Sequence, residues 1–336
     1  MGIKTEATPP RWWQRGRRGW LRRVAIIACV LGAILVVGGL LQRDGEVGKF
    51  RTAEGYAAYK REYDAALADM PAPKRMLDVP TDFGTVRAYE WSTPETEHSV
   101  PVVLIPGRAS GAPMWSENLA GFARQHRVIA FDAIGDAGLS TQRVPLTDTA
   151  HQAHWVHQTL KELAPEGAHI VGHSFGGATA ATYAHHYPSE VKTLTLLEPA
   201  FVFGYPPASV LWWSAITQLP GLPQSAREYA LGKISGSEYS AETPVARMID
   251  VGSKEYSAAL PTPHPLTNQE AAELRMPVYV AIAGGFSLAG GSGGADTAKE
   301  LIPHAQVKVW PDTTHSLPME VADPLADELA EFWGQP

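Results

Sequence analysis

Cysteine is all but missing. Cys29 is the only one in the chain, so neither an intrachain disulfide nor a cysteine-built zinc site can form. The count says little about compartment, because many exported domains simply avoid cysteine. Phosphate-binding loops are missing too. The Gly-rich stretch 284–294 (GGFSLAGGSGG) has no Lys-Ser/Thr ending, no G-x-G-x-x-G opens a first strand, and the stretch reads as a flexible loop. No internal repeat is visible. A net positive charge is absent from the body: residues 1–23 hold seven basic side chains against Glu6, which leaves a net −13 on the rest. So acidic a body repels polynucleotides and excludes a nucleic-acid partner. His151, His154 and His157 recur every three residues, but on one helix they read as a solvated face, and no metal or cofactor is expected.

What is present starts with an apolar run, Val24 to Leu41, eighteen residues without a charge. About 20 are needed to cross a bilayer core. The basic cluster before the run and the mixed charges after it (Arg43, Asp44, Glu46, Lys49) orient it positive-inside. Trp12, Trp13 and Trp20 suit the headgroup layer. We expect a cytoplasmic basic segment (1–23) and a signal anchor (24–41) in the cell membrane, with an extracytoplasmic body. The alternative is an export signal removed by cleavage, since Arg17-Arg18-Gly19-Trp20-Leu21-Arg22 resembles a twin-arginine signal.

Residues 42–75 form a linker and a brace. Phe50 to Asp69 has helical spacing, with Tyr56, Tyr59, Tyr63 and Leu67 on one side, and Pro71 and Pro73 end it. From residue 76 the pattern becomes short apolar strands separated by helices. Strands are predicted at Met76 to Val79, Thr85 to Trp91, Val102 to Ile105, Arg127 to Phe131, His169 to Gly172 and Val191 to Leu197. Helices are predicted near Met114 to Arg124 and Asp148 to Leu163, with a loop over Ala133 to Leu146. Fully apolar strands alternating with helices indicate a mostly parallel sheet covered on both faces, the α/β class. The alternation lapses over residues 199–270, which are rich in proline, serine and aromatics. It resumes with strands at Pro277 to Ala283 and Gln306 to Trp310, and a closing helix at Ala322 to Trp333. The 199–270 block therefore reads as an insertion into one domain spanning 76–336.

The chemistry centres on Gly172-His173-Ser174-Phe175-Gly176, a strand running straight into a small-residue helix. This is the G-x-S-x-G pattern, in which a serine sits on a strained turn and the glycines clear space for it. A serine hydroxyl needs a base to take its proton. His315 follows the last strand in Pro311-Asp312-Thr313-Thr314-His315, where it would meet Ser174 at the carboxyl edge of the sheet. His173 reads as pointing sideways. An oxyanion needs two backbone donors. The N–H of Phe175 supplies one and the N–H of Arg108, after Pro106-Gly107, the other. The Arg108 side chain could meet an acidic substrate or face solvent.

These pieces in this order resemble the α/β-hydrolase fold superfamily of serine esterases and lipases over roughly residues 76–334. The match lies in L-I-P-G-R at 104–108 with Trp115, F-D-A-I-G-D-A-G-L-S at 131–140, G-H-S-F-G at 172–176 and P-D-T-T-H at 311–315. The resemblance implies that fold, a lid between Leu197 and residue 278, and Ser174 and His315 as nucleophile and base. It departs from the family twice. Pro106-Gly107 replaces the usual His-Gly, and Ser287 stands where most relatives place an aspartate. Three carboxylates could substitute: Glu198 directly after strand 191–197, which we take as the acid of the triad, Asp296 as the alternative, whose other reading is a helix N-cap, and Asp132. The expected function is a carboxylesterase for small or medium apolar esters. Aminopeptidase, C–C hydrolase and acyltransferase activities stay open, as does a catalytically silent, membrane-tethered binding module.

Overall fold

The structure is a computed structural model and describes residues 46–334 apart from 218 and 220. The anchor expected at 24–41 and its basic flank lie outside the described residues. Among those described, no helix is long and apolar enough to cross a membrane.

The chain enters through a two-residue strand β1 (Lys49–Phe50) and helix α1 (Ala53–Ala68). The predicted helix began at Phe50. It starts later because the Thr52 hydroxyl caps it, accepting from Gly55 N, while Phe50 is held in a strand. An antiparallel pair follows, β2 (Arg75–Thr81) and β3 (Gly84–Trp91), and then β4 (Val102–Ile105). A 3₁₀ turn over Ala112–Trp115 leads into α2 (Ser116–Phe122), and β5 (Val128–Phe131) returns to the sheet. The loop expected over 133–146 contains a short strand, β6 (Thr141–Gln142), because its backbone pairs with Gly84 and Thr85 of β3. Next come α3 (Thr149–Leu163), β7 (Ala168–His173), α4 (Phe175–His186) and β8 (Val191–Leu197).

Residues 198–277 leave the sheet. They carry α5 (Ala208–Thr217), α6 (Gln224–Ser235), α7 (Pro244–Glu255), β9 (Tyr256–Ser257) and α8 (Asn268–Glu273). The chain then closes with β10 (Val278–Ala283), α9 (Gly291–Leu301), β11 (Gln306–Trp310), α10 (Leu317–Glu320) and α11 (Ala322–Trp333). One sequence expectation fails here. Helix α9 begins at Gly291, so the second part of the Gly-rich stretch is helical, and Gly290, not Asp296, is its N-cap.

The main sheet runs β11-β10-β8-β7-β4-β5-β3-β2, with β6 beside β3. Strands β11, β10, β8, β7, β4 and β5 are parallel to one another, and β5 pairs antiparallel with β3. Alternate residues of one strand feed opposite cores: Val103 and Ile105 pack into one, Val102 and Leu104 into the other. Each strand is therefore apolar on both sides, which is why it reads as an unbroken hydrophobic run. The parallel arrangement carries every strand-end loop to one carboxyl edge, where ligands bind in open α/β sheets.

The brace is tied to the end of the insertion. Strand β1 pairs antiparallel with β9, and α1 packs along α7. Tyr59 and Tyr63 of α1 are fully buried, and Arg247 Nε of α7 donates to Glu62 Oε2 of α1 at 2.8 Å.

Candidate active site

The register of the sheet builds the site. His173 of β7 sits opposite Leu197 of β8, so the next residue of each strand, Ser174 and Glu198, emerges at the same level of adjacent strands. Both leave the sheet in the left-handed region, Ser174 with φ 54 and Glu198 with φ 46. For non-glycine residues such backbone costs about 1–3 kcal/mol, and it persists where the surroundings dictate it. Here they do. Ser174 N donates to Leu197 O at 3.1 Å, and Glu198 N donates to Ala281 O at 2.8 Å. The elbow glycines answer a close approach: a Cβ on Gly176 would stand 2.4 Å from the carbonyl oxygens of both Ile105 and Pro106, and one on Gly172 2.4 Å from Gly176 O.

His315 arrives in the loop after β11. Its Nε2 lies 2.9 Å from Ser174 Oγ and its Nδ1 lies 3.1 Å from Glu198 Oε2. Serine, histidine and glutamate thus form one hydrogen-bonded line, with Ser174 and His315 each 9% exposed and Glu198 fully buried. Glu198 is held by more than His315. Its Oε1 accepts from Ala283 N and from Ser287 Oγ, both at 2.7 Å, and its Oε2 accepts from Leu288 N at 2.9 Å. Burial pulls the Glu198 carboxyl upward, but the bond and charge of His315 and these donors outweigh it, so it lies below its ordinary value. Ser287, at the position where an aspartate was missed, acts as a clamp on the glutamate.

The other carboxylates considered are elsewhere. Asp296 lies inside α9 with its side chain 74% exposed, 3.8 Å from Lys299 Nζ, and has no bond to His315. Asp132 is fully buried at the end of β5. It accepts from Ala112 N at 2.8 Å, Leu139 N at 2.6 Å and Tyr63 Oη at 3.0 Å. Burial, against the pull of those donors, raises its carboxyl to about 6. Its bonds clamp the two loops flanking the site to the brace helix.

The loop after β4 has its N–H groups assigned one by one. Gly107 N donates to Met114 Sδ at 3.3 Å, and Ala109 N donates to Asp136 Oδ2 at 3.0 Å. The N–H of Arg108, between them, and the N–H of Phe175 donate to no acceptor among the described residues. Two free backbone donors beside a serine hydroxyl could hold an oxyanion. The loop turns through two positive-φ residues, Ala109 at φ 56 and Gly111 at φ 60. The Arg108 side chain does not simply face solvent. Its Nε lies 3.1 Å from Asp136 Oδ2, and its guanidinium carbon stands 5.4 Å from the centroid of the Phe175 ring.

His173 was underestimated by sequence reasoning. Its Nε2 lies 2.9 Å from the carbonyl oxygen of His315. A carbonyl only accepts, so Nε2 carries the hydrogen and the buried Nδ1 is bare, without a partner. Burial, with the nearby His315, pushes the His173 ring down to about 3, so it stays neutral. It ties the His315 backbone to the strand end that carries Ser174. No local signal could have announced this, because the partner is 142 positions away. The three histidines of α3 do not converge. His154 Nδ1 meets Tyr187 Oη at 3.0 Å, His157 meets Glu190 at 2.8 Å, and His151 meets Thr147. Among the described residues no group of three His, Cys, Asp or Glu could hold a metal ion.

Known proteins share this architecture. The chain is 24% identical over 292 residues to carboxylesterase YbfK of Bacillus subtilis (strain 168), covering 84% of this chain and 96% of that protein. The crystal structure of the B. subtilis carboxylesterase CesB (YbfK) superposes with a TM-score of 0.77 at 21% identity, over 84% of this chain and 99% of that one. The naproxen esterase (carboxylesterase NP) of B. subtilis gives 0.76 at 20% identity, with the same coverage of each chain. Residues 100–321, which run from the first parallel strand past His315, match the family described as alpha/beta hydrolase fold. With the strand order, the strained serine elbow and that match in agreement, the chain belongs to the alpha/beta hydrolase fold family.

Proposed function

We propose that the protein is a serine carboxylesterase in which Ser174 is the nucleophile, His315 the general base and acid, and Glu198 the carboxylate that orients His315. The observation that carries this reading is the unbroken line from Ser174 Oγ through His315 to Glu198 Oε2, at 2.9 and 3.1 Å. Ser174 Oγ attacks the ester carbonyl while His315 Nε2 takes its proton. The N–H groups of Phe175 and Arg108 hold the tetrahedral oxyanion. His315 then returns the proton to the leaving alkoxide, the alcohol departs, and an acyl group remains on Ser174. Water, deprotonated by the same imidazole, releases the carboxylate product. Glu198 stays ionised throughout and stabilises the imidazolium.

The naming of YbfK as a carboxylesterase supports ester hydrolysis over peptide, C–C or acyl-transfer chemistry. The Glu198 contact supports an enzyme over a silent binding module. Residues 199–270 act as a lid on the site, and their aromatic content favours small or medium esters with an apolar part. The run at 24–41 anchors the protein in the cell membrane with residues 42–336 extracytoplasmic. Labelling by a fluorophosphonate probe tests the enzyme reading. Wild type should label and turn over p-nitrophenyl esters, and Ser174→Ala should do neither. Folded wild-type protein that neither labels nor hydrolyses would refute it. Protease shaving of intact cells tests the topology, since an extracytoplasmic body should be cut from outside.

A further inference from the structure

Arg108 offers more than its backbone. Its guanidinium is fixed from two directions, by Asp136 Oδ2 at 3.1 Å from Nε and by the face of Phe175 at 5.4 Å. Phe175 follows the candidate nucleophile directly, so the cation is held beside the site, with its side chain 42% exposed. Asp136 is buried and held by the backbone: its Oδ2 accepts from Ala109 N at 3.0 Å, and its Oδ1 accepts from Ala137 N at 2.8 Å. The Nη1 and Nη2 groups of Arg108 meet no acceptor among the described residues. A pinned guanidinium with an open two-nitrogen edge matches the planar fork that binds carboxylate or phosphate with paired hydrogen bonds. Other aromatic rings neighbour Phe175. Phe201 lies edge-on at 6.4 Å, and Tyr205 lies 6.2 Å from Phe201.

We propose that the open edge of Arg108 binds an anionic group on the substrate, so that the preferred ester pairs an apolar chain with one carboxylate or phosphate a few bonds from the scissile carbonyl. This rests on the esterase reading above and narrows its substrate class. The body is otherwise acidic, and one held cation beside the nucleophile both attracts such an ester and sets its orientation.

The test compares kcat/KM for paired esters. p-Nitrophenyl hemiglutarate is set against p-nitrophenyl valerate, and a short-chain acyl glycerol phosphate against the same acyl glycerol. Charge-assisted paired hydrogen bonds lead us to expect the anionic member of at least one pair to be favoured about 10–100-fold. The pair showing the preference tells carboxylate from phosphate. The preference should shrink at high ionic strength. In Arg108→Gln the ratio should collapse toward one, and in Arg108→Lys it should be intermediate, because lysine keeps the charge but not the fork. Wild type that hydrolyses valerate well yet shows no preference in either pair overturns the anionic subsite and leaves the esterase reading standing. Failure on every ester together with no fluorophosphonate labelling strikes the esterase reading instead. An Arg108→Gln enzyme that loses both members of a pair equally also overturns the subsite, since the side chain would then serve only to shape the loop.

Discussion

Replacing Glu198 by glutamine changes one oxygen into an amide nitrogen at a position where four donors converge. The carboxylate accepts from Ala283 N, Ser287 Oγ, Leu288 N and His315 Nδ1. Glutamine has one acceptor oxygen, so one side of this cage must meet an NH₂ group. If the NH₂ takes the Oε1 place, it faces the Ala283 N–H at 2.7 Å, a donor against a donor. If it takes the Oε2 place, it faces the Leu288 N–H at 2.9 Å and donates to His315 Nδ1. That second arrangement forces the hydrogen of His315 onto Nε2, the atom that must accept the Ser174 proton. Either way the negative charge that stabilises the imidazolium is gone. The comparable Asp-to-Asn change in a serine protease lowers kcat by about 10⁴. By that guide we expect Glu198→Gln to lose about 10²–10⁴ in kcat, or roughly 3–5 kcal/mol of barrier at 1.36 kcal/mol per decade. KM should change little. The assay is steady-state turnover of p-nitrophenyl butyrate at pH 8, normalised to sites titrated with the fluorophosphonate, on protein whose circular dichroism matches wild type. Asp296→Asn is the control, and turnover within twofold of wild type is expected because that side chain is exposed and remote. A folded Glu198→Gln enzyme within threefold of wild type would refute the role given to Glu198.

Three further outcomes follow from the same geometry. Ser174→Gly removes the hydroxyl but also relieves a residue held at φ 54, so labelling should vanish while the melting temperature stays at or above wild type. A melting temperature lower by several degrees would mean the elbow stores no strain. His173→Leu deletes the N–H that fixes the His315 carbonyl. Turnover should fall about 10–100-fold at nearly constant KM, and His173→Gln, which can still donate, should recover part of it. If the glutamine and leucine variants are equal, His173 only fills space. The depressed His173 also sets a pH dependence. Its folded value of about 3 lies below the ordinary 6.5, so the unfolded chain binds the extra proton and stability is lost as pH falls below 6.5. Urea unfolding should show that wild type loses about 2 kcal/mol more than His173→Gln between pH 7 and pH 5. Parallel losses in the two proteins would contradict a buried neutral ring.

The sequence by itself determined the parts whose physics is local. An apolar strand, a Gly-x-Ser-x-Gly turn and a small-residue helix leave Ser174 few conformations. A histidine just beyond the last strand must lie at the same sheet edge once the strands are parallel. The alternation of apolar runs and helices was enough for the fold class, because strands covered on both faces have no reason to carry polar residues. The carboxylate was different. Glu198, directly after a strand, is the candidate chain order favours, with Asp296 beyond the Gly-rich loop as the alternative, but chain order alone does not place either beside His315. What separates them is the pairing of β7 with β8, which lifts Glu198 beside Ser174, and the early start of α9 at Gly291, which turns Asp296 outward. Sheet register and helix onset emerge from packing between segments far apart in the chain, and no short window contains them. The same holds for His173, Ser287 and the Arg108 guanidinium, whose partners lie on other elements. Local sequence made a candidate nucleophile of Ser174, and only the assembled sheet could give it the glutamate, the clamped histidine and the pinned cation around it.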